Sequence, residues 1–215
     1  MVIRGNHSMT NDSLKTAELL IDLERLSEGE KEELVKLGII SAKADQILPS
    51  PALPSSQGET SIRKRAIHAP QVLNEAYHYA RPSSFSRGLR VDIGSITVLL
   101  ISGTASINEE GKTIHVGDFR AQTWRTYHNI STLLKAENAT WHDVVRATCY
   151  LRDIERDYKD FNEIRTAFFS WLGLDPLPAS VGVQARLCRE DLLVEIEAIA
   201  LIQNQPNVTG ENNPH

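Results

Sequence analysis

The chain has 215 residues, 41% of them hydrophobic, enough for one well-buried domain with an appendage. A formal charge of −5, a pI near 5.8 and the lack of any Arg/Lys stripe with interleaved aromatics argue against a nucleic-acid partner. Cys149 and Cys188 are too few for a disulfide scaffold or a Cys-rich metal site, and no apolar run reaches signal or spanning length, so a cytoplasmic protein with reduced thiols and no membrane partner is expected.

Residues 1–48 predict a helical hairpin extension. LKTAELLIDLERL (14–26) spaces its leucines and isoleucine as a helix does, and SEGE (27–30) is a capping-box pattern opening a second helix through Leu34 and Leu37 that Gly38 ends. Its reading is a packing or oligomerisation arm. A linker is expected over 49–84, beginning with the Pro/Ser/Gly-rich PSPALPSSQGETS.

From residue 85 the order predicts a domain ending at 203, with a disordered tail over 204–215. LRV and ITVLLISGTASI read as strands, and INEEGKTI as a hairpin. Asp118 caps a helix with Trp124, Tyr127, Ile130 and Leu134 on one face. VVRATCYL (144–151) is strand-like, with Cys149 assigned to the core. DYKDFNEIRTAFFSWLG (157–173) is a second amphipathic helix, with Phe161, Ile164, Phe168 and Trp171 as its apolar stripe and Gly173 as its stop. SVGVQARL and LLVEIEAIALI finish as strands. Two helices on one face of a mixed β-sheet make an α+β domain.

The last strand poses the functional question. With a period of two, Leu192, Val194, Ile196, Ala198 and Ala200 share one face, and Leu193, Glu195, Glu197, Ile199 and Leu201 the other. The first face takes the helices. Two carboxylates in the middle of an otherwise apolar second face are costly if buried without partners. That pattern predicts a face meeting another copy of the sheet, with the polar middle lining a cavity.

SGTASI (102–107), GDFRAQTWRTYHNISTLL (117–134), DVVRATCYLRDI (143–154), DFNEIRTAFF (160–169) and LLVEIEAIA (192–200) resemble the successive motifs of the Rid (YjgF-like) superfamily. The resemblance implies a chorismate mutase-like homotrimer with ligand pockets between subunits, no metal or organic cofactor, and a small anionic metabolite as partner. It further implies hydrolysis of reactive enamines and imines to ketoacids and ammonia. Ser102 and Gly103 in SGT, Asn162 in DFNEI and Glu195 match the family's pocket serine turn, pocket asparagine and water-positioning glutamate. Two positions depart. The stretch PLPASVGV (176–183) lacks the arginine that clamps a substrate carboxylate in imine deaminases, and Phe85 stands where the family has a pocket tyrosine.

CREDLLVEIE (188–197) also resembles the chorismatase branch, in which the cysteine and glutamate line the site, here Cys188 and Glu195. Members of that branch are longer and carry a related N-terminal domain. Both branches protonate an electron-rich carbon and add water to the resulting cation, which needs one carboxyl with a raised pKa and cationic groups for an anionic substrate. The primary expectation is a cofactor-free hydrolase of a small carboxylated enol ether or enamine, with Glu195 catalytic. The alternatives are an enamine/imine deaminase and a non-catalytic metabolite-binding or chaperone-like protein. Glu195 pairing with a basic residue across an interface is the structural alternative to catalysis. Arg87 and Arg189 are candidates to replace the missing clamp. Cys188 has no histidine spaced to activate it and reads as a pocket wall; Glu197 reads as a salt-bridge partner. The seven histidines make no HxH or HExxH pair, so no metal site is expected.

Overall fold

A computed structural model describes residues 21–49, 62–70, 73–79 and 83–204. The chain divides into two units, residues 1–58 and 59–215.

In the first unit, helix α1 (Glu28–Lys36) opens on the expected capping box: Ser27 Oγ accepts from the Glu30 N–H at 3.2 Å, and Glu30 Oε2 accepts from the Ser27 N–H at 2.7 Å. Gly38, at φ +68°, turns the chain out of the helix, and a single bridge pairs Ile40 with Ile47. The helix expected over 14–26 falls outside the described residues up to position 20. Over 21–26 the chain is a turn, closed by the Asp22 carbonyl accepting from Arg25 N–H and its side chain accepting from Glu24 N–H.

The second unit is built on a six-stranded mixed sheet. Strands β1 (Ile62–Ala66), β2 (Gly88–Ile93), β3 (Ile96–Ala105), β4 (Val144–Leu151), β5 (Ala179–Gln184) and β6 (Val194–Gln203) lie in the order β1-β2-β3-β6-β4-β5. Neighbours are antiparallel except β4 and β5, a parallel pair joined through helix α3 (Ile154–Leu172). Helix α2 (Phe119–Ala136) runs between β3 and β4. Asp118 and Asp153 cap the two helices by accepting from Ala121 N–H and Arg156 N–H, and Gly173 ends α3 in the left-handed region at φ +65°.

Both helices pack on one sheet face. Val194, Ile196, Ala198 and Ala200 of β6 are buried there with Ile130, Leu133 and Leu134 of α2 and Phe161 and Ile164 of α3. Tyr127, Trp141, Phe168 and Phe169 form an aromatic cluster with ring centroids 4.7–6.0 Å apart. Cys149 lies in this core, and burial pushes its thiol pKa up. Trp171 does not join the cluster's buried side. Trp171 stands in the last turn of α3, one residue before the helix ends, and stacks outside Phe168 at 79% exposure.

The sheet begins earlier than residue 85. Within the stretch 49–84 expected as linker, Ile62–Ala66 pairs with β2 from Ile62↔Ile93 to Ala66↔Leu89. Its sequence IRKRA carries three charges, which an edge strand tolerates because neither of its faces is closed over. Arg65 reaches into the domain, donating from both Nη atoms to the buried Glu137 carboxylate at 2.8 and 2.6 Å. At the other end β6 stops at Gln203, and residues 205–215 fall outside the described chain. Opposite the helices, Ile96, Leu100, Val181, Val183 and Leu201 are exposed on the face that also carries Glu195 and Glu197.

Candidate functional site

The register between β3 and β6 slips at one point. Ile101 faces Ala198 but Thr104 faces Ile196, so three steps along β3 match two along β6, a bulge at Ser102–Gly103. The bulge makes room for an acid. A methyl at position 103 would lie 2.0 Å from Glu195 Oε1 and 3.0 Å from its Cδ, so the carboxylate occupies space that only a glycine leaves open. On its other side Glu195 is opposite Tyr150 of β4.

Arg87 stands next to this acid, fixed before the first residue of β2. Its guanidinium carbon is 5.1 Å from the ring centres of both Tyr79 and Phe85, its Nε donates to the Asn74 carbonyl at 3.2 Å, and its backbone N–H donates to Glu75 Oε2 at 3.2 Å. Arg87 is 5% exposed, which is rare for an arginine and makes its charge a strong local field. Arg87, Phe85, Tyr79, Gly103, Cys188, Arg189 and Glu195 are among the residues lining one cavity of about 130 Å³. Arg189 is committed elsewhere through Nη1, which donates to the Gly111 carbonyl, while its own carbonyl accepts from Arg152 Nη2.

The electrostatics follow from this placement. Desolvation raises the Glu195 pKa above the ordinary carboxyl value; Arg87 draws it back down, Glu197 adds to the rise, and Arg189 lowers it further. Among the described residues no group donates a hydrogen bond to the Glu195 carboxylate. A half-buried carboxyl with an elevated pKa and free oxygens keeps its proton to higher pH than an ordinary carboxyl does and can pass it to a bound molecule. Glu197, expected in a salt bridge, instead accepts from the Tyr150 hydroxyl at 3.2 Å, and the Tyr150 pKa is raised by desolvation and then by Glu197.

Six of the eight expected site residues therefore line one cavity: Glu195, Gly103, Phe85, Arg87, Cys188 and Arg189. The other two do not. Ser102 points past the bulge into a separate hollow with Glu197, and its hydroxyl donates to the Ser86 carbonyl at 2.7 Å, which ties the loop before β2 to β3. Asn162 lines a different cavity between α3 and β5, together with Arg165 and Ser180. Tyr79 is a lining residue that sequence reasoning missed. It follows a single 3₁₀ turn, Ala76–His78, where no periodicity marks a functional face; its hydroxyl is buried without a partner among the described residues.

Residues 80–202 match the model of the family described as Endoribonuclease L-PSP. The chain belongs to this family, the Rid (YjgF-like) superfamily. Its Rid domain is 34% identical over 102 residues to a RutC family protein of Pyrococcus abyssi, spanning 47% of this chain and 76% of that one. It is 30% identical over 103 residues to the 3-aminoacrylate deaminase RutC of Acinetobacter baylyi, spanning 48% of this chain and 78% of the relative. The crystal structure of the YjgF gene product of E. coli superposes with a TM-score of 0.51 at 25% identity, covering 63% of this chain and 97% of that one. The match starts at residue 80, so β1, which completes the sheet of this Rid domain, lies ahead of it. Among the described residues no group of three or more His, Cys, Asp or Glu side chains is gathered to hold a metal ion, and no helix is long and apolar enough to cross a membrane.

Proposed function

We propose that the protein hydrolyses a small carboxylate-bearing enamine or imine to a ketoacid and ammonia without a cofactor, with Glu195 handling the proton. The observation that carries this reading is the Glu195 carboxyl itself. It is half-buried beside Arg87, its pKa is raised, its oxygens have no donor among the described residues, and the backbone opposite is a glycine that leaves it room. Protonated Glu195 gives its proton to the β-carbon of the enamine, and the C=C–N unit becomes an iminium cation. The resulting carboxylate, whose charge Arg87 and Arg189 balance, then takes a proton from the attacking water. Collapse of the carbinolamine expels ammonia and leaves the ketoacid. Cys188 and Phe85 form walls of the cavity in this scheme.

The homotrimer implied by the resemblance is part of the proposal. Exposed apolar side chains on the outer sheet face support contact with another copy, since such a surface is costly to leave in water. The distribution of the expected site residues supports it too. Glu195 and Asn162 line different cavities within one chain, and an interface between copies is what would bring a second chain's Asn162 to the first chain's Glu195.

The name of the RutC relative, a 3-aminoacrylate deaminase, favours ammonia release over enol-ether hydrolysis. The test is to incubate the purified chain with freshly generated 2-aminoacrylate, following ammonia, and in parallel with chorismate, following pyruvate. Ammonia release above the spontaneous rate is the expected result. Pyruvate from chorismate alone would move the substrate to an enol ether, and silence in both would favour a binding protein.

A further inference from the structure

Arg165 leaves the middle of α3 for the cavity between that helix and the edge strand β5, a space of about 390 Å³. Its Nη2 donates to Asn162 Oδ1 at 2.7 Å and its Nη1 to Ser180 Oγ at 3.4 Å, and its guanidinium carbon lies 5.4 Å from the Phe161 ring centre. These contacts hold the plane of the group without neutralising it. Among the described residues no carboxylate pairs with Arg165, although other arginines of the same two helices are paired, Arg120 with Asp160 and Arg156 with Asp157. A guanidinium has five N–H donors. Asn162 and Ser180 take two of them, and the rest are left for a ligand.

The position of this cation is informative. Ser180 lies within PLPASVGV, the stretch that lacks the arginine expected to grip a substrate carboxylate. The side chain that bonds Ser180 carries the guanidinium in from the facing helix. Its surroundings suit a small oxyanion: the hydroxyls of Ser180 and Tyr158 and the amide of Asn162 line the cavity beside it, with Phe169 and Leu177 as apolar walls.

We infer that Arg165, oriented by Asn162 and Ser180, binds the carboxylate of the substrate, so that the cavity between α3 and β5 is the carboxylate subsite and the helix supplies the grip that the strand lacks. The inference rests on the reading above in which neighbouring copies join this cavity to that of Glu195. The ligand class is a small α-keto, α-imino or α-enamino acid, whose carboxylate a guanidinium fork can hold in bidentate fashion.

The test is the binding of pyruvate, an unreactive carboxylate of the product class, to the full-length chain by titration calorimetry, with thermal melting as the control for folding. Arg165→Ala is expected to weaken pyruvate by about tenfold or more, the loss of a charge-assisted pair, and Arg165→Lys, which keeps the charge but not the fork, by a smaller factor. If Arg165→Ala does not fold, the lysine variant decides: weaker binding supports the inference and unchanged binding overturns it. Binding lost in Arg87→Ala but kept in Arg165→Ala would overturn it, as would no saturable binding to the wild-type chain. Pyruvate held through Arg165 by a protein that hydrolyses no enamine would leave this subsite standing and remove the catalytic reading. Hydrolysis with pyruvate binding indifferent to Arg165 would do the reverse.

Discussion

Gln122, wholly buried on α2, accepts the Leu193 N–H on its Oε1 at 2.9 Å and donates from Nε2 to the Asp191 carbonyl at 2.8 Å. The same Nε2 also reaches the His115 carbonyl at 3.2 Å. One side chain thereby fixes the segment that carries Cys188 and Arg189 just ahead of β6. Gln122→Ala strands buried backbone groups and is expected to cost about 3 kcal/mol, read as a lower urea midpoint with unchanged slope. Faster amide exchange should appear over residues 188–193; protection there equal to wild type would separate Gln122 from the site.

Gly103 and Glu195 make the second prediction. A Cβ at position 103 meets the mobile end of the glutamate side chain rather than backbone, so the chain can accommodate Gly103→Ala by moving the carboxylate aside. The variant should melt within a few degrees of wild type yet lose ammonia release by about two orders of magnitude, the scale of a misplaced acid–base group. Full activity in a folded Gly103→Ala protein would show that the carboxylate need not sit where the bulge holds it.

Glu137 closes α2, where an acid opposes the helix dipole, and it is held there by Arg65 of β1 and by Arg90 of β2, the latter at 3.3 Å. Its side chain is 2% exposed while that of Arg65 is 56% exposed. Loss of Arg65 leaves Glu137 still paired with Arg90, whereas loss of Glu137 removes both ion pairs and empties a buried position. Glu137→Ala is expected to destabilise by about 3 kcal/mol and Arg65→Ala by about 1 kcal/mol in denaturant titration; equal effects would mean that β1 is held by its backbone pairing alone.

The raised pKa of Glu195 has a consequence for stability. A carboxyl whose folded pKa lies above its unfolded value of about 4.5 contributes stability that is complete below that pH and lost as pH rises through the folded pKa. At neutral pH the native protein therefore bears the cost of partly desolvating a carboxyl that is freely ionised in the unfolded chain. Glu195→Gln removes that cost and should raise the melting temperature at pH 7 by about 2 °C, with the gain vanishing near pH 4. A gain of the same size at both values would point to packing instead of charge.

Much of this was legible in the residues. The period-two pattern of LLVEIEAIA placed Glu195 and Glu197 opposite the helices, because alternation is a direct property of the extended chain. Asp118 and Gly173 marked helix ends because capping is local chemistry. The bulge at Ser102–Gly103 was not legible, since it is a relation between two strands and leaves no mark in either alone. The charged IRKRA of β1 hid a strand that is viable at a sheet edge. Ser102 and Asn162 were expected beside Glu195 on family likeness, but within one chain the slip in register turns Ser102 away and α3 carries Asn162 to the β5 edge. Arg165 is not legible in the sequence, because on a helix surface it reads as one more solvated cation, and its meaning comes from Ser180, fifteen residues on.

The most direct test of the account is the rate of ammonia release from 2-aminoacrylate by Glu195→Gln beside wild type, on protein shown to be folded by its melting curve. The substitution preserves shape and removes the transferable proton. A fall of about two orders of magnitude or more is the result the account predicts; a Glu195→Gln protein that releases ammonia at the wild-type rate would contradict it.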